Sequence, residues 1–232
     1  MRKVVITSNM LNEANNYLDE WIDNMKQLTD TGIIVVDGGS IDGTKEVLEI
    51  NDIIVVTDNI IQREGYGPAR NQLRELAKQY FPDAHWECHF DCDERIDPSD
   101  FHKFRWLKDY LNECYYDVIG FPRIDWYDRD KIKSANNIRI NPDFQARMSR
   151  LSCSVRYEKA CHEQVVPTKG IYLNVDTCPV IQHFHRSAPK EKRDQVGRLC
   201  SFLHRKDDEA GIKYPKHHKE DMYYQKYLEE GL

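Results

Sequence analysis

The feature that most constrains this chain is the alternation, over its first half, of short β-branched runs with amphipathic helical stretches. Lys3–Thr7, Ile33–Val36, Ile53–Thr57 and Trp86–Phe90 are four- or five-residue strand-like runs. Between them, apolar residues recur three and four positions apart, as at Leu18, Trp21, Ile22, Met25 and Leu28, and again at Leu73, Leu76, Ala77 and Tyr80. Strands that are apolar throughout are buried on both faces, and helices are what covers them. The pattern therefore predicts an α/β fold, a mostly parallel sheet sandwiched by helices. Asn12 is expected to cap the first helix, Gly43-Thr44 to open the second, and Pro68 and Pro98 to stand at the starts of two more.

After about Asp117 the rhythm changes. Val118–Trp126, Phe144–Met148, Val155–Glu158 and Ile171–Asp176 read as shorter, mixed strands, and a helix runs from about Lys190 to His204. No repeat or low-complexity linker divides the chain, so residues 1–232 are read as one domain. Residues 1–116 are read as its regularly alternating half and 117–232 as a smaller mixed-sheet half. Charge follows the same division: 12 Lys and Arg stand against 22 Asp and Glu through Tyr116, and 21 against 17 beyond it. The positive half suits an acidic or phosphate-bearing acceptor, or a solvated helical face. No stretch approaches the roughly 18–20 apolar residues of a membrane span, which leaves peripheral contact open. The charged N-terminus lacks a secretory signal, and a cytoplasmic location is expected. The seven cysteines are irregularly spaced without a Cys-x-x-Cys pair, so no disulfide framework is expected.

Ligands of parallel sheets bind beyond the carboxyl ends of the strands. Three polar motifs fall there: Thr7-Ser8-Asn9, Asp37-Gly38-Gly39-Ser40 and Asp91-Cys92-Asp93. The glycines of the second allow a tight turn. In the third, two carboxylates two residues apart suit a hard divalent cation, Mn2+ or Mg2+, which also binds phosphate oxygens.

Four stretches in order, Thr7–Ala14, Val36–Thr44, Gly67–Asn71 and Phe90–Glu94, resemble the family-2 glycosyltransferases of the GT-A fold. The Asp-Gly-Gly-Ser-x-Asp-Gly-Thr block is the most specific. The likeness covers about the first hundred residues and is looser beyond them. It implies an inverting transfer of sugar from a nucleotide-diphosphate sugar, a UDP-sugar first, to an acceptor hydroxyl, with a divalent metal as cofactor. By the same resemblance Thr7, Asn9 and Glu13 line the nucleotide pocket, Asp37 holds the base, Gly39 belongs to the tight turn of that nucleotide-binding loop, and Arg70, beside Asn71, reaches the ribose or phosphates. Asp91 meets the ribose or metal-bound water, and Asp93 binds the metal. Asp42 and Thr44 fix their loop.

Inverting transfer needs a carboxylate to take the acceptor proton. Glu163, in Cys161-His162-Glu163-Gln164, looks like the base of some family members, with Asp125 and Asp143 as rivals. In Ile181-Gln182-His183-Phe184-His185-Arg186, strand alternation places His183 and His185 on one face and Phe184 opposite. His183 would complete the metal site, while His185 and Arg186 would meet metal or phosphate. His217 and His218, among lysines, read as solvated. The acceptor is a glycan, a lipid-linked sugar or another hydroxyl; a nucleic acid is permitted but not favoured by a pI near 5.9. Two other readings stand beside this one. A nucleotidyltransferase is disfavoured because the loop after the first strand lacks glycine and base, and an inactive nucleotide-sugar-binding homologue is the other.

Overall fold

The computed structural model describes residues 2–139, 143–166, 169–174 and 176–212. The tail containing His217 and His218 lies outside them. In chain order the elements are β1 (Val4–Met10), α1 (Leu18–Leu28), β2 (Ile33–Asp37), α2 (Thr44–Ile50), β3 (Ile54–Thr57), α3 (Ile60–Glu64), α4 (Tyr66–Tyr80), β4 (Trp86–His89), β5 (Glu94–Ile96) and α5 (Phe101–Tyr110). There follow β6 (Val118–Asp125), β7 (Asp143–Arg150), β8 (Arg156–Glu158), β9 (Gln164–Val166), β10 (Gly170–Tyr172), β11 (Ile181–His183) and α6 (Lys190–Glu209).

The expected α/β fold is what these residues form. One sheet runs β3-β2-β1-β4-β7-β6-β11-β5, with β10 beside β6. Strands β3, β2, β1 and β4 are parallel. The mixed strands continue the same sheet, because β7 joins it antiparallel to both β4 and β6. Successive residues of β1 supply both cores. Val4 and Ile6 pack with Trp21, Met25 and Phe104 on one face, and Val5 packs with Ile34, Ala69 and Leu73 on the other. Full burial of each such side chain contributes about 1.5–3 kcal/mol, which is why the period-2 strand and the 3.6-period helix select one register.

Pro98 opens a 3-10 turn, Pro98–Asp100, that leads directly into α5, while two other helix starts differ from expectation. Asn12 does not cap α1: it sits at φ 55°, its Oδ1 accepts from Ile41 N, and the helix begins only at Leu18. The chain spends residues 11–17 bonding to the second loop instead, where Glu13 N and Ala14 N donate to Thr44 Oγ1 at 2.8 and 3.0 Å. Helix α4 starts at Tyr66, two residues before Pro68, behind Gly65 at φ 103°. A Cβ on Gly67 would lie 2.4 Å from Lys159 O, a contact no side chain tolerates. That close approach lets Tyr66 N and Gly67 N donate to the carbonyls of Ala160 and Lys159.

Candidate functional site

The loops at the carboxyl ends of β1 and β4 meet the segment after β11, and the loop after β2 bonds to the one after β1. Chain reversal beyond β4 carries Asp93 between His89 and β5, and Phe184 N donates to Asp93 O at 2.9 Å. This backbone bond brings two distant segments together, with His183 Nε2 3.6 Å and His185 Nδ1 3.5 Å from Asp93 Oδ2. The geometry differs from simple strand alternation. Strand β11 ends at His183 and a 3-10 turn spans His185–Ser187, so the turn brings the second ring alongside the first, with centroids 6.0 Å apart. Phe184 is buried, as expected.

On its far side His183 Nδ1 bonds Asp125, at the end of β6, in a short contact. Arg186 Nε lies 3.5 Å from the other Asp125 oxygen. Burial works against the charged forms of both Asp93 and His183. Their mutual attraction, with Asp125 on the histidine and His185 on the aspartate, outweighs it: the Asp93 carboxyl is held well below the usual range, and His183 rises to about 10.

Asp91 belongs to a second cluster. Arg147 donates to Asp91 Oδ2 at 2.7 Å and to the fully buried Glu94 at 2.6 Å. Arg70 NH2 lies 3.6 Å from Asp91 Oδ1, and His89 Nε2 lies 3.0 Å from the same oxygen. Against the desolvation of its crevice, the two guanidiniums hold the Asp91 carboxyl well below its ordinary range. Burial and Arg70 lower the pKa of His89, whose Nδ1 lies 3.3 Å from Thr7 Oγ1 on the other side of the ring.

Arg70 also pairs with Glu163 in a short contact, which leaves the Glu163 side chain 17% exposed. Asp143 is bound by Arg123, 2.8 Å from its Nε and NH2, and by Gln145. Of the three carboxylates raised as bases, Asp125 therefore faces His183, Asp143 faces Arg123, and Glu163 faces Arg70.

The nucleotide-side residues separate into two groups. Asp37 is buried and its carboxylate accepts from Gly39 N and Ser40 N at 3.0 and 2.9 Å, shaping the loop in which Gly39 takes φ 95°. Asp42 accepts from Thr44 N and Ala14 N, the loop-fixing role expected of it. Thr7 has no exposed surface, and its hydroxyl donates to Glu87 Oε1 at 2.6 Å. Asn71 clamps β8 through Tyr157 O and Tyr157 N. Asn9 Oδ1 is buried with no hydrogen-bond partner. Glu13 pairs with Lys192 of α6, which also donates to Leu11 O and Asn12 O.

Arg147 and Lys192 escaped the sequence reading, and Glu94 entered it only as the end of the Phe90–Glu94 stretch, without a role. Arg147, a charge between Ala146 and Met148 in a strand-like run, was the one visible signal, since a buried charge needs partners. Lys192 lies in a helical charge run that offers none. Two cavities, of about 640 and 310 Å3, open elsewhere, lined by residues such as Arg95, Asp97 and Gln182 and by none of Asp91, Asp93 or Arg70. No helix among the described residues is long and apolar enough to cross a membrane.

No family model matches the chain. No curated protein matches it either. Among solved structures it is similar to glucosyl-3-phosphoglycerate synthase from Mycobacterium tuberculosis, crystallised with Mn2+, UDP and glucosyl-3-phosphoglycerate, at TM-score 0.40 and 21% identity, over 53% of this chain and 44% of that one. It is also similar to mannosyl-3-phosphoglycerate synthase from Rubrobacter xylanophilus, at TM-score 0.42 and 20% identity, over 55% and 42%. A mycobacterial protein aligns over 86% of this chain and 71% of its own, at TM-score 0.47 and 14% identity. The chain spans less than half the length of the two synthases.

Proposed function

We propose that this chain is a divalent-metal-dependent glycosyltransferase of the GT-A type, moving a sugar from a UDP-sugar to an acceptor hydroxyl. The observation that carries the reading is the meeting of His183 and His185 with Asp93, within 3.6 Å, at the carboxyl end of the parallel strands. One carboxylate and two imidazoles form a donor set for a divalent first-row metal, of which Mn2+ is one, with positions left for phosphate oxygens and water. The carboxylate behind His183 Nδ1 is the partner that a metal-binding histidine ordinarily has, and it leaves Nε2 for the ion. Asp93, His183 and His185 would hold the metal, with Asp91 beside them. Bound there, a divalent cation supplies positive charge to the diphosphate as it departs.

The chain's own residues supply the remainder. Arg70 and Arg186 are the cations for phosphate, each now resting on carboxylates of the site. Asn9, Glu13, Asp37 and Gly39 belong to the loops that receive the nucleoside. Glu163 is the base. It takes the proton of the acceptor hydroxyl while that oxygen bonds to the anomeric carbon and the bond to the diphosphate oxygen breaks, which inverts the centre. Arg70 holds Glu163 at the cleft until phosphate competes for the guanidinium. The acceptor is a glycan, lipid-linked sugar or other hydroxyl compound.

The test is release of nucleotide from each common nucleotide-sugar, with and without Mn2+. UDP release that requires Mn2+ and is lost in Asp93→Ala is the expected result. No release from any donor, together with no nucleotide binding by calorimetry, overturns the reading.

A further inference from the structure

A second group of ligating side chains lies apart from Asp93, where α6 crosses the loop between β8 and β9. One ligand atom each from Cys161, His162 and His204 lies within 4.8 Å of the other two. The rings of His162 and His204 are 5.0 Å apart between centroids. The backbone is built to keep them so. Ala160 N and Cys161 N both donate to the carboxylate of Asp207, a buried residue of α6, at 2.8–3.0 Å. His162 then takes φ 49°, a left-handed conformation uncommon among non-glycine residues and one that histidine tolerates better than most. Cys200 packs against the same small cluster as Cys161 and lies one helical turn before His204, on the same face of α6.

We propose that Cys161, His162 and His204 bind a zinc-class divalent cation, with Cys200 as the fourth donor. Two thiolates and two imidazoles make a tetrahedral set of the softness that zinc prefers, unlike the oxygen-bearing set at Asp93. Binding displaces a proton from each thiol, so affinity rises with pH. The ion would tie α6 to the loop between β8 and β9. The assignment does not depend on the glycosyltransferase reading, since it concerns different residues and a different class of ion.

Cobalt replaces zinc in such sites and reports its ligands by colour. Co2+ titrated into the full chain under reducing conditions should give tetrahedral d–d bands and a thiolate-to-cobalt charge-transfer band, bleached by one equivalent of Zn2+. Cys161→Ser should remove much of the charge-transfer intensity, Cys200→Ala should diminish it, and His204→Ala should weaken binding at least about ten-fold. Zn2+ should also raise the Tm of the wild-type chain and not of Cys161→Ser. A folded wild-type protein with no thiolate–cobalt band overturns the proposal, whatever the variants do. A band undiminished in Cys161→Ser overturns it too, as does a Cys161–Cys200 disulfide found by thiol counting in the protein isolated without reductant.

Discussion

His183 and Asp125 stand directly opposite each other on parallel neighbours β11 and β6, and their side chains bond across that register. The pairing is fixed by the sheet, so Asp125 sets the tilt of the ring rather than following it. Asp125 is accordingly a positioning residue in this reading. Asp125→Asn should weaken Mn2+ binding about 10–100-fold by calorimetry, with nucleotide affinity measured without metal unchanged. A variant that binds Mn2+ normally yet loses turnover would instead make Asp125 a base.

Glu163 and Arg70 are the pair on which the proton-transfer step rests. Glu163→Gln should lower kcat by about 10²–10⁴-fold while leaving the donor KM and Mn2+ affinity near their wild-type values. Rate measurements with saturating donor decide it. If Glu163 served only to neutralise Arg70, the substitution would mainly lower stability and alter donor KM.

Much of the sheet was legible because burial on both faces writes itself into β1, β2 and β4 as unbroken apolar runs, and α1 repeats Leu18, Trp21, Ile22, Met25 and Leu28 at helical spacing. The candidate site was legible where it lies at strand ends, as at Asp93, and His183 could be grouped with it by likeness. The charge pairing was not. Arg147 reaches Asp91 from β7, a strand inserted between β4 and β6. Lys192 reaches Glu13 across about three quarters of the chain. Arg147 shows only as a charge within a strand-like run and Lys192 not at all, and neither names its partner, because such contacts come from strand order and helix docking. The cap at Asn12 failed for a related reason: its N–H donates to Ser40 Oγ and its Oδ1 accepts from Ile41 N, tertiary bonds that outcompete a local capping bond.

Thr7 offers a test of the division between pocket and scaffold. Glu87 is fully buried, with its two oxygens taken by Thr7 Oγ1 at 2.6 Å and Ser149 Oγ at 2.8 Å, and with Arg74 3.8 Å away. Thr7→Val keeps the shape and removes the donor, so it should cost about 1–3 kcal/mol in a denaturant titration. UDP affinity should stay the same. Weakened UDP binding at unchanged stability would return Thr7 to the nucleotide pocket.

Glu13 makes stability depend on pH. Burial, set against the Lys192 ammonium beside it, pushes the Glu13 carboxyl up from 4.5 to about 7. The native state then holds the proton more tightly than the unfolded chain. Its contribution is fully present below pH 4.5 and is lost as pH rises through about 7. The gap is worth roughly 3 kcal/mol at most, at a side chain 12% exposed. Glu13→Gln removes the titration while Lys192 keeps the carbonyls of Leu11 and Asn12. Its Tm should match the wild type near pH 5 and exceed it at pH 8 by several degrees, since each kcal/mol moves a chain of this size about 2–4 °C. Equal slopes of Tm against pH in the two proteins would mean that Lys192 keeps Glu13 ionised throughout, and that burial there carries no cost.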